Sequence, residues 1–267
     1  MTKNRQETTR VHDAIDFCGV AVDVLSHEDV HRRIAAAMEG DTFMRIATVN
    51  PDFVLRARRS RAFARTLAAA QLRIADGVGL SLVARLCGMR LPRYPGADLV
   101  RDMLAMAQAR GWPVRVLCRA DGLSRWADVK RAAKEAYPGL DIAGEDVNVR
   151  ANCGEGVCRL CSACASEQPT LYLINFGVPW QEECAEALRA LRARGVAVGV
   201  GGALDFLTGA VPRAPRWMCR LGLEWIYRTL VQPARIGKAL RSVVVFPIVV
   251  LMYHIAQKVR TLIGGIV

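Results

Sequence analysis

The residue types and spacings suited to chemistry begin with Cys153-Gly-Glu-Gly-Val-Cys158-Arg-Leu-Cys161-Ser-Ala-Cys164. Cys153-x4-Cys158-x2-Cys161 has the spacing of plant-type iron–sulfur ligation, with Cys164 or Cys184 as a fourth thiolate. On that reading the chain is a non-catalytic or redox protein that holds a metal or cluster. The same stretch also reads as a helix over 154–167. At about 100° per residue, Val157, Leu160, Cys161, Cys164 and Ala165 then share an apolar face within an arc of about 140°. Free cysteine packs there as a small apolar side chain. A tetrahedral site would require the helix to unwind, so core packing is the preferred reading.

A second group lies where apolar runs end. Thr48 and Asn50 close FMRIATV (43–49), Asp76-Gly77 follows LRIA (72–75), Gln181 follows TLYLINF (170–176), and Asp205 follows VAVGVG (196–201). An Asp before Gly ordinarily serves a turn or a helix cap. Arg93, in RYPGADLV, ordinarily makes a surface ion pair. Arg216, Arg228 and Arg235 are interleaved with Trp217, Trp225 and Tyr227, a pattern that suits membrane headgroups or nucleic acid. With no signature of a nucleic-acid module, nucleic acid is not an expected partner. GVGGAL (199–204) and GVGLSL (77–82) put Leu where a dinucleotide fingerprint wants Gly or Ala, and no G-x-x-x-x-G-K-[ST] occurs. A nicotinamide dehydrogenase is poorly supported and a P-loop is excluded.

The elements that must carry these residues alternate. Strands are expected at 16–25, 43–49, 72–75, 113–118, about 140–144, 170–176 and 196–201. Helices are expected from Ser26, whose S-x-x-D resembles a capping box, to about Glu39, after Asn50-Pro51, and at 79–88, 97–110, 123–136 and 180–194. That order predicts an α/β fold, a Rossmann-like and mostly parallel sheet with helices on both faces. Ligands of such sheets sit at the carboxyl ends of the strands, where Thr48, Asn50, Asp76, Gln181 and Asp205 fall.

Beyond Gly209 the pattern turns helical and basic, so residues 1–209 are read as the α/β domain and 210–267 as an appendage. The appendage holds nine Lys/Arg against one acid, Glu224, and so carries +8 of the net +12. A basic tail on a near-neutral body predicts an anionic surface or ligand. VVVFPIVVLMY (243–253) is too short for a helical span and is interrupted by Pro247. With its basic flank it is expected to lie in a membrane interface. The N-terminus carries no apolar signal segment, and the odd count of nine cysteines does not suggest a disulfide framework. A cytoplasmic body with reduced thiols is expected.

Six blocks occur in order: ATVNPDFV (47–54), ADGVGLSLVARLCG (75–88), RYPGADLV (93–100), FGVPWQEE (176–183), VGVGGALDFLTGAVPRAPRW (198–217) and LGLEWIYRTLVQPAR (221–235). Together they resemble the WecG/TagA/CpsF family, glycosyltransferase family 26, over about residues 17–240. The resemblance implies an inverting transferase that moves a hexose (N-acetylmannosamine, its uronic acid or glucose) from a UDP-sugar to a polyprenyl-diphosphate-linked saccharide. It implies work in cell-surface polysaccharide synthesis, peripherally on the cytoplasmic face of the bacterial inner membrane, with room for a homo-oligomer.

Carried over by position, the resemblance implies that Asp76 is the general base, taking the acceptor hydroxyl's proton as that oxygen attacks C1. Thr48 and Asn50 would hold the donor sugar or the reacting centre, and Thr48 is grouped with Asp76 as catalytic. Arg93 and Gln181 would contact sugar or diphosphate, and Asp205 the ribose. Arg228 and Arg235, with Lys238, would neutralise the UDP leaving group. The chain has no D-x-D, so arginines are the available counter-charge. No metal and no cofactor are expected. The chain departs from the family's P-K-Q-E at Trp180, which removes a cation near the site.

Overall fold

The structure is a computed structural model and describes residues 13–149 and 164–264. Its centre is built from β-branched and apolar runs that bury both faces of the backbone. Strands β3 (Phe43–Val49), β7 (Thr170–Asn175) and β8 (Gly195–Gly199) are buried almost residue by residue, the signature of inner strands in a parallel sheet. β4 (Leu72–Ala75), β5 (Val114–Arg119) and β6 (Ile142–Val147) complete six strands in the order β4-β3-β8-β7-β5-β6, every pairing parallel.

Helices cover both faces. On one lie α1 (His27–Glu39), α5 (Gly96–Arg110) and α6 (Trp126–Ala136). On the other lie α2 (Pro51–Arg59), α3 (Arg61–Ala68), α4 (Val78–Leu86) and α7 (Trp180–Ala190). Their starts follow local chemistry. Ser26 Oγ accepts from the Asp29 amide while Asp29 returns a carboxylate to the Ser26 amide, the expected capping box. Asn50 caps α2 just before Pro51, whose missing N–H costs nothing at the first helical position.

The segment read as one strand over 16–25 is a hairpin, β1 (Ala14–Phe17) and β2 (Val20–Asp23), antiparallel and separate from the main sheet. Cys18 (φ 57°) and Gly19 (φ 87°) both take the left-handed conformation of a tight hairpin turn. The Gly19 amide donates to Asp16 Oδ1 at 2.9 Å. The hairpin sits against edge strand β4, where Asp23 accepts from the Arg73 amide at 2.8 Å and from its guanidinium at 3.2 Å, and so shields that edge.

After β8 come a 3-10 turn (Gly201–Ala203), α8 (Leu204–Leu207), α9 (Arg216–Arg220), α10 (Glu224–Val231), a second 3-10 turn (Pro233–Arg235) and α11 (Ile236–Leu240). A π-helical turn (Arg241–Val245) leads into α12 (Phe246–Gly264). Pro247 does not interrupt the run, contrary to the sequence reading. The Phe246 amide bonds back five residues to the Arg241 carbonyl, so a π-helical turn, wider than the α register, stands directly before Pro247. Helix continues through Ile236–Gln257, 22 residues of mean hydropathy 1.9, long and apolar enough by length and composition to cross a membrane. One side of α12 is fixed to the domain: Phe246 and Val250 are buried, and the Phe246 ring lies 6.1 Å from Phe17. Ile248, Leu251, Met252 and Ile255 face outward, exposed.

Candidate functional site

β3 and β8 are neighbours in the sheet, yet the chain leaves their carboxyl ends toward opposite faces. α2 packs in the core beneath one face and Ala203 and Leu204 in the core beneath the other. Such a divergence opens a crevice. The C-terminal segment roofs it, enclosing a cavity of about 310 Å³. Of the residues singled out from the sequence, Thr48, Asn50, Asp76, Gln181, Arg228, Arg235 and Lys238 line this cavity. Arg93 and Asp205 do not.

Asp76 sits just past β4, its amide donating to the Val49 carbonyl at 2.7 Å. Gly77 follows at φ 88°, a conformation that suits glycine, and opens α4. The Gly96 amide donates to Asp76 Oδ1 at 3.1 Å. Burial pushes the Asp76 carboxyl above its ordinary range, while that amide and the charges of Lys238, Arg228 and Arg93 restrain the rise. The result is a carboxylate made more basic by its surroundings and held in place by a backbone donor.

Thr48, on β3, donates its hydroxyl to the Gly199 carbonyl of β8 at 3.0 Å, so it has only lone pairs left for a ligand. Asn50 Oδ1 accepts from the Asp52 and Phe53 amides, which leaves the Nδ2 donors for the cavity. Gln181 is buried. Its Nε2 donates to Glu182 Oε1 at 2.8 Å, and its Oε1 accepts from the Gly201 amide at 3.2 Å. Gly199 makes room for it: a Cβ there would lie 2.3 Å from Gln181 Nε2. Burial pushes the Glu182 carboxyl up to about 7.

The opposite wall is cationic. Arg228 of α10 lies with its guanidinium 4.6 Å from the Phe206 ring centre. Its Nε and Nη2 are buried and have no hydrogen-bond partner among the described residues. Burial and neighbouring Arg235 both act against its charge, while Glu224, Asp76 and Asp205 favour it. Lys238 is pulled below its ordinary pKa by its desolvated surroundings first, with Arg235 and Arg228 adding to that; Asp52 and Asp76 oppose it. A half-buried arginine with two buried, idle donor atoms, beside two further cations, has the chemistry that suits an anion.

Asp205 lies behind this wall. Its Oδ1 accepts from the buried Ser124 hydroxyl at 2.7 Å. Its Oδ2 and Arg228 Nη2 lie 3.0 and 3.3 Å from where a Cβ on Gly202 would stand. Arg93 donates to the Cys219 carbonyl at 2.9 Å, which ties the loop after α4 to α9. Arg213 pairs with Asp98 at 2.8 Å and Lys238 with Asp52 at 3.6 Å, further fastening the roof. Gly222 (φ 74°) rests on Val78, where a Cβ would come within 2.6 Å of a methyl.

Sequence reasoning passed over the lining residues Thr229 and Ser242, and named Glu224 only as the appendage's one acid and Trp225 only as an aromatic among its arginines. Glu224/Arg228 and Trp225/Thr229 stand four residues apart, the helical spacing that puts them side by side. It also passed over Arg56, Arg58, Arg59, Arg61 and Arg65, crowded on α2 and α3 with no acid between them. At Trp180, where a cation seemed missing, Arg119 lies 5.3 Å from the ring centre. Cys153, Cys158, Cys161 and all of the expected helix over 154–167 up to residue 163 lie outside the described residues. Cys164 donates to Glu145 at 2.8 Å, and Cys184 is buried in the core beneath α7. Among the described residues, no group of three His, Cys, Asp or Glu side chains converges as metal ligands would.

A family model described as the glycosyl transferase WecG/TagA/CpsF family matches residues 15–260. The chain is similar to enzymes named N-acetylglucosaminyldiphosphoundecaprenol N-acetyl-beta-D-mannosaminyltransferase. That of Bacillus subtilis (strain 168) is 28% identical over 80% of this chain and 78% of its own length. That of Bacillus spizizenii is 31% identical over 71% and 72%, and that of Staphylococcus aureus (strain MRSA252) is 30% identical over 80% of each.

Proposed function

The chain belongs to the WecG/TagA/CpsF family of glycosyl transferases, and on that premise we propose a mechanism in which Asp76 and the cationic wall divide the work of an inverting hexosyl transfer. The protein is a hexosyltransferase whose acceptor is a polyprenyl-diphosphate-linked saccharide. The donor is a UDP-sugar. The relatives' names make N-acetylmannosamine the first hexose to test, with its uronic acid and glucose beside it.

In this reading the acceptor hydroxyl gives its proton to Asp76 as its oxygen attacks the anomeric carbon from the face opposite UDP. The C1–O bond breaks, its electrons pass to the diphosphate, and the configuration at C1 inverts. Arg228, Arg235 and Lys238 meet the charge that develops on the leaving group. Guanidinium donors in a desolvated wall supply what a D-x-D-bound metal supplies elsewhere, so catalysis is metal-independent. Asn50 offers its Nδ2 donors to the sugar, Thr48 its lone pairs, and Gln181 shapes the floor. Arg93 and Asp205 act from behind, Arg93 by holding α9 and Asp205 by favouring the charge on Arg228.

One observation carries this reading: a single cavity sets Asp76 against a wall whose Arg228 has two buried, unpartnered donors. Membrane association follows from the lipid-linked acceptor. We place the chain peripherally, because Phe246 and Val250 hold α12 against the domain while its other side is apolar and exposed, and on the cytoplasmic face, whose anionic leaflet suits the basic appendage. The test is direct. The enzyme is incubated with a panel of UDP-hexoses and N-acetylglucosaminyldiphosphoundecaprenol, and the product mass is read with and without EDTA. One hexose added, with EDTA inert, supports the proposal. No transfer from any donor refutes the function, and EDTA-sensitive transfer refutes the arginine mechanism.

A further inference from the structure

A second, polar cavity of about 570 Å³ opens beside the first and shares Asn50, Asp52, Val178 and Lys238 with it. Its remaining walls include Arg56, Arg59 and Ser60 of the α2–α3 region and Arg241 of the π-helical turn. Four cations therefore face one carboxylate. Asp52 is engaged with two of them, Arg241 Nε at 3.2 Å and Lys238 Nζ at 3.6 Å. Arg56 and Arg59 make no ion pair among the described residues. Asn50 and Lys238, on the shared border, also serve the proposed mechanism, but Arg56, Arg59 and Arg241 have no part in it and Arg228 and Arg235 do not reach this cavity.

We propose that this cavity, walled by Arg56, Arg59 and Arg241 and bordered by the shared Lys238, receives the diphosphate of the lipid-linked acceptor, a second diphosphate site beside that of the nucleotide. The inference rests on the function proposed above and adds the place where the acceptor is gripped. A diphosphate diester is a dianion, and the excess of cations over carboxylate here suits it. Guanidinium forks match phosphate oxygens in pairs.

The order of surfaces matches the order of groups in the acceptor. The Asp76 cavity, where a sugar hydroxyl must react, lies on one side of the shared Asn50–Lys238 border. On the other side Arg241 begins the turn that runs into α12, whose outward Ile248, Leu251, Met252 and Ile255 are apolar. Saccharide, diphosphate and isoprenoid thus meet a carboxylate, a cationic cavity and an apolar helix in turn. α2 packs on both the π-helical turn and α12, and Arg58 lies 6.0 Å from the Tyr253 ring centre. The arginines and the apolar helix therefore form one continuous edge.

The test uses the full chain carrying Arg56→Gln and Arg59→Gln together, in neutral detergent micelles free of anionic lipid. Transfer to N-acetylglucosaminyldiphosphoundecaprenol is followed while donor and acceptor are varied separately. We expect the KM for the acceptor to rise at least about tenfold, the loss of charged hydrogen bonds to phosphate. The KM for the donor, the affinity for UDP and the melting temperature should stay near those of the parent. Arg56→Lys with Arg59→Lys should restore part of the acceptor affinity. Sedimentation with phosphatidylcholine vesicles, with and without phosphatidylglycerol, separates lipid headgroup from acceptor. A double variant that loses only its binding to phosphatidylglycerol, with acceptor KM unchanged in micelles, overturns the inference. An active parent enzyme whose variant keeps its acceptor KM overturns this inference alone. A parent that transfers no hexose overturns the proposed function and this inference with it.

Discussion

Arg228→Met separates the free enzyme's stability from its catalytic power. Methionine keeps an apolar stem beside Phe206 and removes the guanidinium. In the free enzyme, Nε and Nη2 are buried without partners. An unsatisfied buried donor costs about 1–3 kcal/mol, so the two together cost roughly 2–6 kcal/mol. On the other side stands the contact with Phe206 at 4.6 Å, worth about 0.5–2 kcal/mol. The attractions to Glu224, Asp76 and Asp205 are countered by repulsion from Arg235. The variant should therefore melt at or above the parent temperature. With the leaving diphosphate in place those idle donors are used, and losing one positioned donor costs about 10²–10³ in kcat. The assay pairs melting curves, with and without UDP, with steady-state transfer. Expected are an unchanged or raised Tm without UDP, a much smaller rise on adding UDP, and a kcat down by two orders of magnitude or more. A variant that melts well below the parent, or that keeps kcat within about threefold, would refute the reasoning.

Other outcomes follow from the same geometry. Asp76 must be ionised to accept a proton, so kcat/KM should fall as pH drops through its raised pKa. Lys238→Met removes a charge that favours the ionised form and should move this acid limb to higher pH in the pH–rate profile. Glu182, raised to about 7 from an unfolded value near 4.5, favours the native state in its protonated form. That contribution is complete below about 4.5 and is lost as pH rises through 7, on the order of 3 kcal/mol. Glu182→Gln should flatten the fall of Tm between pH 4.5 and 7. Gly222→Ala sets a Cβ 2.6 Å from Val78 at a positive φ. It should loosen the roof, which limited proteolysis after α9 and a loss of activity would register.

Much of this was legible in the chain. Parallel inner strands are buried on both faces, so FMRIATV and TLYLINF announce themselves as uninterrupted apolar runs. Strand ends then place Thr48, Asn50, Asp76 and Gln181 at the crevice without further information. Strand order was not legible, because it depends on which helix covers which face. The hairpin over Ala14–Asp23 was hidden in one apolar stretch, since Cys18 gives no sign that it takes a positive φ. Pro247 read as an interruption of the apolar run because the π-helical turn that precedes it leaves no mark in composition. Arg93 and Asp205 sit behind the cavity for a tertiary reason, their partners Cys219 and Ser124 being 126 and 81 residues away in the chain. The arginines of α2 drew no notice in the sequence, because Lys238 and Arg241, which stand beside Arg56 and Arg59 in the fold, are about 180 residues away in the chain.

The central claim is that Asp76 moves the proton while the cationic wall holds the nucleotide. Asp76→Asn, nearly isosteric and still able to accept from Gly96, tests it when kcat and the calorimetric affinity for UDP are measured on one preparation. The account predicts a kcat lower by about 10²–10⁴, with UDP affinity near that of the parent. Turnover at the parent rate would contradict it.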